Sequence, residues 1–295
     1  MQYLKSCLCL IVGLLLTAGI RHLVAAPQSE DPWHAQDTEK LDNQFKVRTD
    51  RDFRLRLEVD AGEVRMSRGQ SEDQVLVRLL YTKRQFRHAF RFNEQDNILE
   101  IRFDKEGWFD RESEKMTAEL EVELPRAATL RADCRIKAGE VDMQLGGLRI
   151  ADFAMRVTAG SVNLDFDEPN RIEMETLDLN TKIGESSFRR LGNARFRDAD
   201  INGGIGEMTI DFSGAMLAQA VARVDLDIGE TVIVLPKDAG TKLSVSKFLF
   251  LSQIDVPFEM RKEGRYYYTE NYGKTEREFQ LRISSGIGEL RIERP

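Results

Sequence analysis

Three acidic clusters carry the most evident reactive groups in this sequence: Asp165, Asp167 and Glu168; Asp198 and Asp200; Asp225 and Asp227. Residues two apart on a strand share a face, so each Asp pair presents two carboxylates on one side. Strands neighbour at about 4.8 Å, so stacking could bring pairs close enough to need a cation. Calcium takes about six to eight oxygens, and Asp165, Asp167, Asp198, Asp200, Asp225 and Asp227 are its candidate ligands. The competing and favoured reading is a solvated acidic face balanced by Arg156, Arg171, Lys182 and Arg197. Paired carboxylates also cleave glycosidic bonds, but nothing in the sequence marks one of these as a proton donor.

Other chemistries have fewer candidates. Of the three histidines, His22 follows an N-terminal apolar run, His34 lies in a polar stretch and His88 in an alternating strand. That distribution disfavours a histidine metal centre or a Ser-His-Asp hydrolase, and no Gly-x-Ser-x-Gly elbow adjoins them. Gly203-Gly204-Ile205-Gly206 is followed by nothing basic that would hold a phosphate. Cys134 alternates with Ala132 and Ile136, the pattern of a small buried hydrophobe. Two surfaces are candidates for binding. Lys83, Arg87 and Arg91 share one face of a strand whose other face holds His88, Phe90 and Phe92, a pattern suited to an anionic envelope polymer or lipid headgroups, or to an ordinary solvated strand. Tyr266, Tyr267, Tyr268 and Tyr272 cluster with Phe258 and would bind a sugar or peptide, or plug an open sheet edge.

The elements that position these groups follow from a repeat. Ala/Ile-Gly, usually followed by Glu and then by alternating apolar residues, recurs at Ala61, Ala138, Ala159, Ile183, Ile205, Ile228 and Ile287. Gly139, Gly160, Gly184, Gly206 and Gly229 are spaced by 21, 24, 22 and 23 residues. A period of this size marks stacked β units. In the copy at Ile205, Met208, Ile210 and Phe212 point inward and Glu207, Thr209 and Asp211 outward; Val141, Met143 and Leu145 align with Val162, Leu164 and Phe166. Period-two runs at Phe53–Val59, Val75–Leu79, Leu99–Phe103 and Leu120–Leu124 extend the strands to the N-terminal half. The sequence therefore predicts an all-β, β-helix-like stacked solenoid with rungs of about 22 residues. Each rung holds two or three short strands, with a glycine corner before each strand, and the rungs form one stack or two similar lobes. Arg111–Ala118 and Ala215–Arg223 are the tolerable helix candidates. Glu140, Glu185, Glu207 and Glu230 form a ladder broken by Ser161. Val232 and Val234 make one rung apolar on both faces, and Lys242–Ile283 is expected to cover it. Arg190 either caps a rung or marks an early strand end.

The 295-residue chain opens with Lys5, an apolar run Cys7–Ile20 and Val24-Ala25-Ala26, read as a secretory signal peptide (1–26) with a mature start near Pro27. An uncleaved anchor is the alternative. Removing 1–26 takes Lys5 and Arg21 and no acid, so 43 basic residues become 41 against 50 acidic, a net charge of −9. Such a balance disfavours nucleic acid as a partner. Residues 27–46 read as a polar tether or short helix, 47–135 as an N-terminal β region, and 136–295 as a β-solenoid with a C-terminal cap. No other segment is apolar enough to cross a membrane as a helix.

The run Ile183-Gly-Glu, Leu191-Gly-Asn-Ala, Ile201-Asn-Gly-Gly-Ile-Gly-Glu, Ile210-Asp-Phe-Ser-Gly, Ile228-Gly-Glu and Val234-Leu-Pro, closing on Gly286-Ile-Gly-Glu-Leu-Arg-Ile, resembles the toast-rack domain. That domain is the LiaF-like one of bacterial cell-wall-active antibiotic response proteins. Thr117–Phe166 is similar to the related adhesin-type β-solenoids, and together the resemblance spans roughly residues 50–295. It implies an extracytoplasmic or membrane-associated β-solenoid without known catalytic residues, some of whose members regulate envelope-stress signalling through a sensor kinase. The chain lacks the transmembrane helices of those signalling members, and the resemblance supplies no site residues. The expected function is an exported, non-enzymatic binding or scaffolding protein in the periplasm or at the cell surface. Its partner would be an envelope protein or polysaccharide, without a cofactor other than calcium. The alternatives are a surface adhesin or, less favoured, a polysaccharide-degrading β-helix enzyme.

Overall fold

A computed structural model describes residues 37–106, 116–247 and 252–294. Period-two alternation becomes strand throughout. In chain order the strands are β1 (Thr38–Lys46), β2 (Phe53–Arg68), β3 (Gln74–Thr82), β4 (Phe86–Asn93), β5 (Ile98–Lys105), β6 (Ala118–Leu124), β7 (Leu130–Gln144), β8 (Ile150–Asp165) and β9 (Met174–Arg189). They continue as β10 (Phe196–Asp211), β11 (Gln219–Val234), β12 (Gly240–Lys247), β13 (Ser252–Asp255), β14 (Arg261–Glu263), β15 (Tyr266–Tyr268), β16 (Glu278–Ser285) and β17 (Ile287–Glu293).

Each central rung is one long bent strand rather than two or three short ones. β2, β7, β8, β9, β10 and β11 lie parallel and in register, with Gly62, Gly139, Gly160, Gly184, Gly206 and Gly229 forming one column. The glycine sits inside the strand, not before it. Its φ lies between +127° and +145°, where L side chains are strained. In β10 the bend shifts the buried phase from Ala199 and Ile201 to Met208 and Ile210, so both arms face the same core. A Cβ on Gly206 would come 1.9 Å from the Gly184 carbonyl oxygen. Stacking and the bend therefore demand the same residue. Met208, Ile210 and Phe212 are buried, and Val141 and Met143 pair with Val162 and Leu164, as the repeat predicts.

Both ends of the stack are built by overshooting and filling back. β5 and β6 form a split rung outside β2, although they follow it in sequence. At the other end β12 and β13 are outermost, and β16 and β17 return to insert between them and β11. Short antiparallel strands finish each end: β3 on β6, β4 on β5 and β1 on β3; β15 on β12 and β14 on β15. Such strands blunt an edge that would otherwise recruit another chain.

Several sequence expectations are corrected here. Residues 38–46, read as tether or short helix, are strand β1. Ala215–Arg223 is a return loop followed by the start of β11, because Met216, Ala220 and Ala222 are needed in the core; residues 111–115 of the other helix candidate lie outside the described residues. The segment Lys242–Ile283 does not overlie Val232 and Val234; it adds rungs edge-on, and both valines stay half-buried. The strand β9 does not end early: like β8, β10 and β11 it has 16 residues and stops five residues after its glycine, and Arg190 takes φ 54° in the turn that follows.

The core is a single cluster running the length of the stack. Phe53, Phe103, Phe153, Phe166, Phe188, Phe196, Phe212 and Phe279 are its largest buried rings. Each such side chain contributes roughly 1.5–3 kcal/mol by leaving water. At the return turns, buried asparagines close the backbone. The Asn170 amide donates to the Ile150 carbonyl and accepts from its N–H at 2.8 and 2.9 Å; Asn193 donates to Phe166 O and accepts from Ala215 N, both at 2.8 Å.

Candidate binding surfaces

The acidic clusters do not converge. Asp165, at the end of β8, is mostly buried and accepts from Arg190 Nε at 2.9 Å, with Arg189 at 3.6 Å. That bond is the first cause holding the Arg190 guanidinium's pKa above its ordinary value. Glu168 takes both Arg68 nitrogens at 2.6 and 2.9 Å, and Arg68 holds its carboxyl below the usual range. Asp200 faces Arg223 across the β10–β11 pairing, 3.3 Å apart. Asp198 lies opposite Val221, and Asp225 opposite Asn202, so the second and third clusters are offset rather than merged. Among the described residues no three His, Cys, Asp or Glu side chains are placed to hold a metal ion.

Lys83, Arg87 and Arg91 fare differently from one another. Lys83 lies before β4 and pairs with Glu39 at 3.7 Å, and Arg87 pairs with Glu106. Arg87 and Arg91 share the exposed face of β4, while His88, Phe90 and Phe92 turn to neighbouring rings, with His88 5.2 Å from Tyr81 and Phe92 5.8 Å from Phe45. Two of the three cations are thus already neutralised.

The tyrosines sit at the far end of the stack. Tyr266, Tyr267 and Tyr268 form β15 along β12, opposite Ser244, Leu243 and Lys242. Tyr268 stacks obliquely on Tyr272 at 5.0 Å, and Tyr267 packs on the core. Lys242 and Arg265 lie over the Tyr266 ring, Lys262 over Tyr267 and Arg261 over Tyr268. Phe258 stands apart, 93% exposed.

Two groups missed by spacing arguments complete the surface. On the outer face of the first arms, Arg102, Glu58, Arg135, Asp133, Arg156 and Asp178 form a continuous ion-pair chain across β5, β2, β7, β8 and β9. The alternation of Arg and Asp along each strand is its only sequence signal. At the bend, the glutamate row is longer than the expected ladder. Glu119, Glu63, Glu140, Ser161, Glu185, Glu207, Glu230 and Glu289 are successive lateral neighbours.

A stack of parallel bent strands with a glycine column and a continuous core defines a β-solenoid-type repeat protein with no closed barrel. Two family models match this chain: the N-terminal domain of toast_rack over residues 34–176, and the C-terminal domain of the cell wall-active antibiotics response protein LiaF over residues 182–292. The chain belongs to the toast-rack, LiaF-like family. No curated protein matches it. Among solved structures it is similar to a "putative cell adhesion protein" from Clostridium sporogenes (14% identity, 87% of this chain and 100% of that one, TM-score 0.44). It is also similar to "putative adhesins" from Bacteroides fragilis (12%, 86% and 97%, TM-score 0.36) and Parabacteroides distasonis (12%, 86% and 97%, TM-score 0.31).

Proposed function

We propose that this chain is an exported, non-enzymatic binding or scaffolding protein of the bacterial cell envelope, serving the envelope-stress response. The family matches carry this reading, since together they span both halves of the stack. The chemistry of the surface supports it. The candidate carboxylates are either paired with arginine or offset from one another, which suits a structural face better than a general acid opposed to a base. A rigid face of equivalent positions, repeated rung after rung, suits an extended partner. The partner class is an envelope protein or polysaccharide.

Cell fractionation of the full chain carrying a C-terminal tag tests the placement, and mass spectrometry of its N-terminus tests the leader. Recovery in the periplasm or on the surface, starting near Pro27, is the expected result. Recovery in the cytosol with residues 1–26 intact overturns the reading. Surface rather than periplasmic recovery favours the adhesin form of the proposal.

A further inference from the structure

The bend column holds a contrast between the two halves of the stack. At the position before the glycine, the N-terminal rungs carry Ala61, Ala138 and Ala159. The next four rungs carry Ile183, Ile205, Ile228 and Ile287, all in lateral register. These isoleucines are 55, 53, 46 and 38% exposed, and they make up most of the large exposed apolar side chains among the described residues. The backbone geometry does not require them, because alanine serves at the same bend. Three inter-strand steps of about 4.8 Å make the row roughly 14 Å long.

Carboxylates border the row on both sides. Glu185, Glu207 and Glu230 follow the glycines, are exposed, and make no ion pair with a described residue; Glu289 pairs with Arg291 at 2.8 Å. On the other side Asp225 and Asp227 are exposed and likewise unpaired among the described residues, with Lys182 the nearby cation. Gly203 and Gly204 line a groove beside Ile183 and Ile205. Like charges opposed on neighbouring strands destabilise a sheet, and an apolar row in water adds no stability. The arrangement becomes favourable when both are covered by something apolar and positive.

We propose that the row Ile183–Ile205–Ile228–Ile287 with its flanking carboxylates is a docking track for an extended polypeptide that presents basic and apolar residues on the same face. Apolar side chains cover the isoleucines, and lysine or arginine side chains reach the glutamates on one side and Asp225 and Asp227 on the other. Charge complementarity selects this occupant. A second copy placed face to face would set glutamate row against glutamate row, and an anionic lipid surface would meet the same repulsion. A metal ion does not fit, because the carboxylates run along the stack instead of converging. The proposal rests on the binding-module reading above and names the partner chemistry of one face.

The test uses the full chain and a dye-labelled eight-residue peptide repeating Lys-Lys-Val-Val, so that each face of the extended chain carries both residue types, followed by fluorescence anisotropy. Controls are a glutamate–valine and a lysine–serine peptide of equal length and the same pattern. The variants are Ile205→Ala with Ile228→Ala, which copies the residue the other rungs use, and Glu207→Gln with Glu230→Gln; circular dichroism verifies that both fold. Each double variant is expected to weaken lysine–valine binding by about tenfold or more, and raising salt from about 50 to 300 mM to weaken it further. Substituting Glu140→Gln, in a rung that carries alanine, is expected to change nothing. The proposal is overturned by absence of binding to the unaltered chain, by equal binding to the double variants, or by lysine–serine binding as tight as lysine–valine. Self-association abolished by the isoleucine pair overturns it in favour of a second copy. Cytosolic recovery would sink the envelope reading without touching this result, whereas loss of peptide discrimination sinks the track alone.

Discussion

A single hydrogen decides whether one rung can lie on the next. At Gly206 the added Cβ would meet the neighbouring carbonyl and would also have to hold φ +143°. Gly206→Ala is therefore expected to cost about 2–4 kcal/mol, read as a loss of melting temperature. Gly273→Ala is the control: its φ is +73°, but nothing lies within 4 Å, so only the local strain of about 1–2 kcal/mol applies. Equal losses at both positions would show that steric stacking is not what fixes the column. Cys134 gives a second residue-scale expectation. It is fully buried, and burial pushes its thiol from the ordinary 9.0 up to about 12; burial does the same for Tyr81, helped by its bond to Glu39. The folded state holds both protons. Stability is then flat below about pH 9 and falls as the pH rises from there toward 12, because the unfolded chain ionises first. Denaturant titrations between pH 7 and 11 check the sign. Native Cys134 is expected to resist alkylation that goes to completion once the chain is unfolded.

Among the elements, the long strands supply the core and the return turns keep them in register. Asn193 is the clearest case. Its amide satisfies Phe166 O in one rung and Ala215 N in the next. Asn193→Ala strands both groups and is expected to cost about 1–3 kcal/mol, whereas Asn163→Ala, on the half-exposed outer face between Asp142 and Arg189, should stay within about 0.5 kcal/mol. Urea midpoints of the two variants separate the cases, and a loss at Asn163 as large as at Asn193 would contradict the role given to the turn amide. The elements also show where alternation misleads. β1 alternates, but its half-buried positions include Glu39 and Asn43 between Leu41 and Phe45, so its inner face does not read as apolar. Glu39 can face inward because it accepts from the Tyr81 hydroxyl at 2.8 Å, a bond made by another strand. Conversely Ala215–Arg223 carries helix-compatible residues, yet its alanines fill narrow core positions at the start of β11.

At the scale of the molecule, the problem for any stack is its ends. Here each end overshoots, fills back and closes with short antiparallel strands, so β2 and β11 are never edges. Deleting residues 237–294 would leave β11 as an open parallel edge with Val232 and Val234 beside it. Concentration-dependent association in size-exclusion chromatography is the expected outcome, and a monomer at all concentrations would show that the C-terminal strands are not a cap. The same construction explains why the 21–24-residue period fails between Gly229 and Gly288. The intervening chain builds the outer rung β12–β13 and the tyrosine strand before β17 returns to the column.

The all-β repeat, the bend column and the inward phase of Met208, Ile210 and Phe212 were legible from the residues alone, because glycine spacing and period-two alternation are local signals that survive without knowing the partners. The core position of Cys134 was legible in the same way. Contacts between distant segments set the rest: the central rungs are single bent strands, β5–β6 and β16–β17 insert out of order, the candidate aspartates pair with arginines or miss one another, and four isoleucines line up exposed beside four of the seven glutamates. These are facts of register between strands tens of residues apart. Register is set by which rung lies beside which, and no spacing along a single strand encodes it.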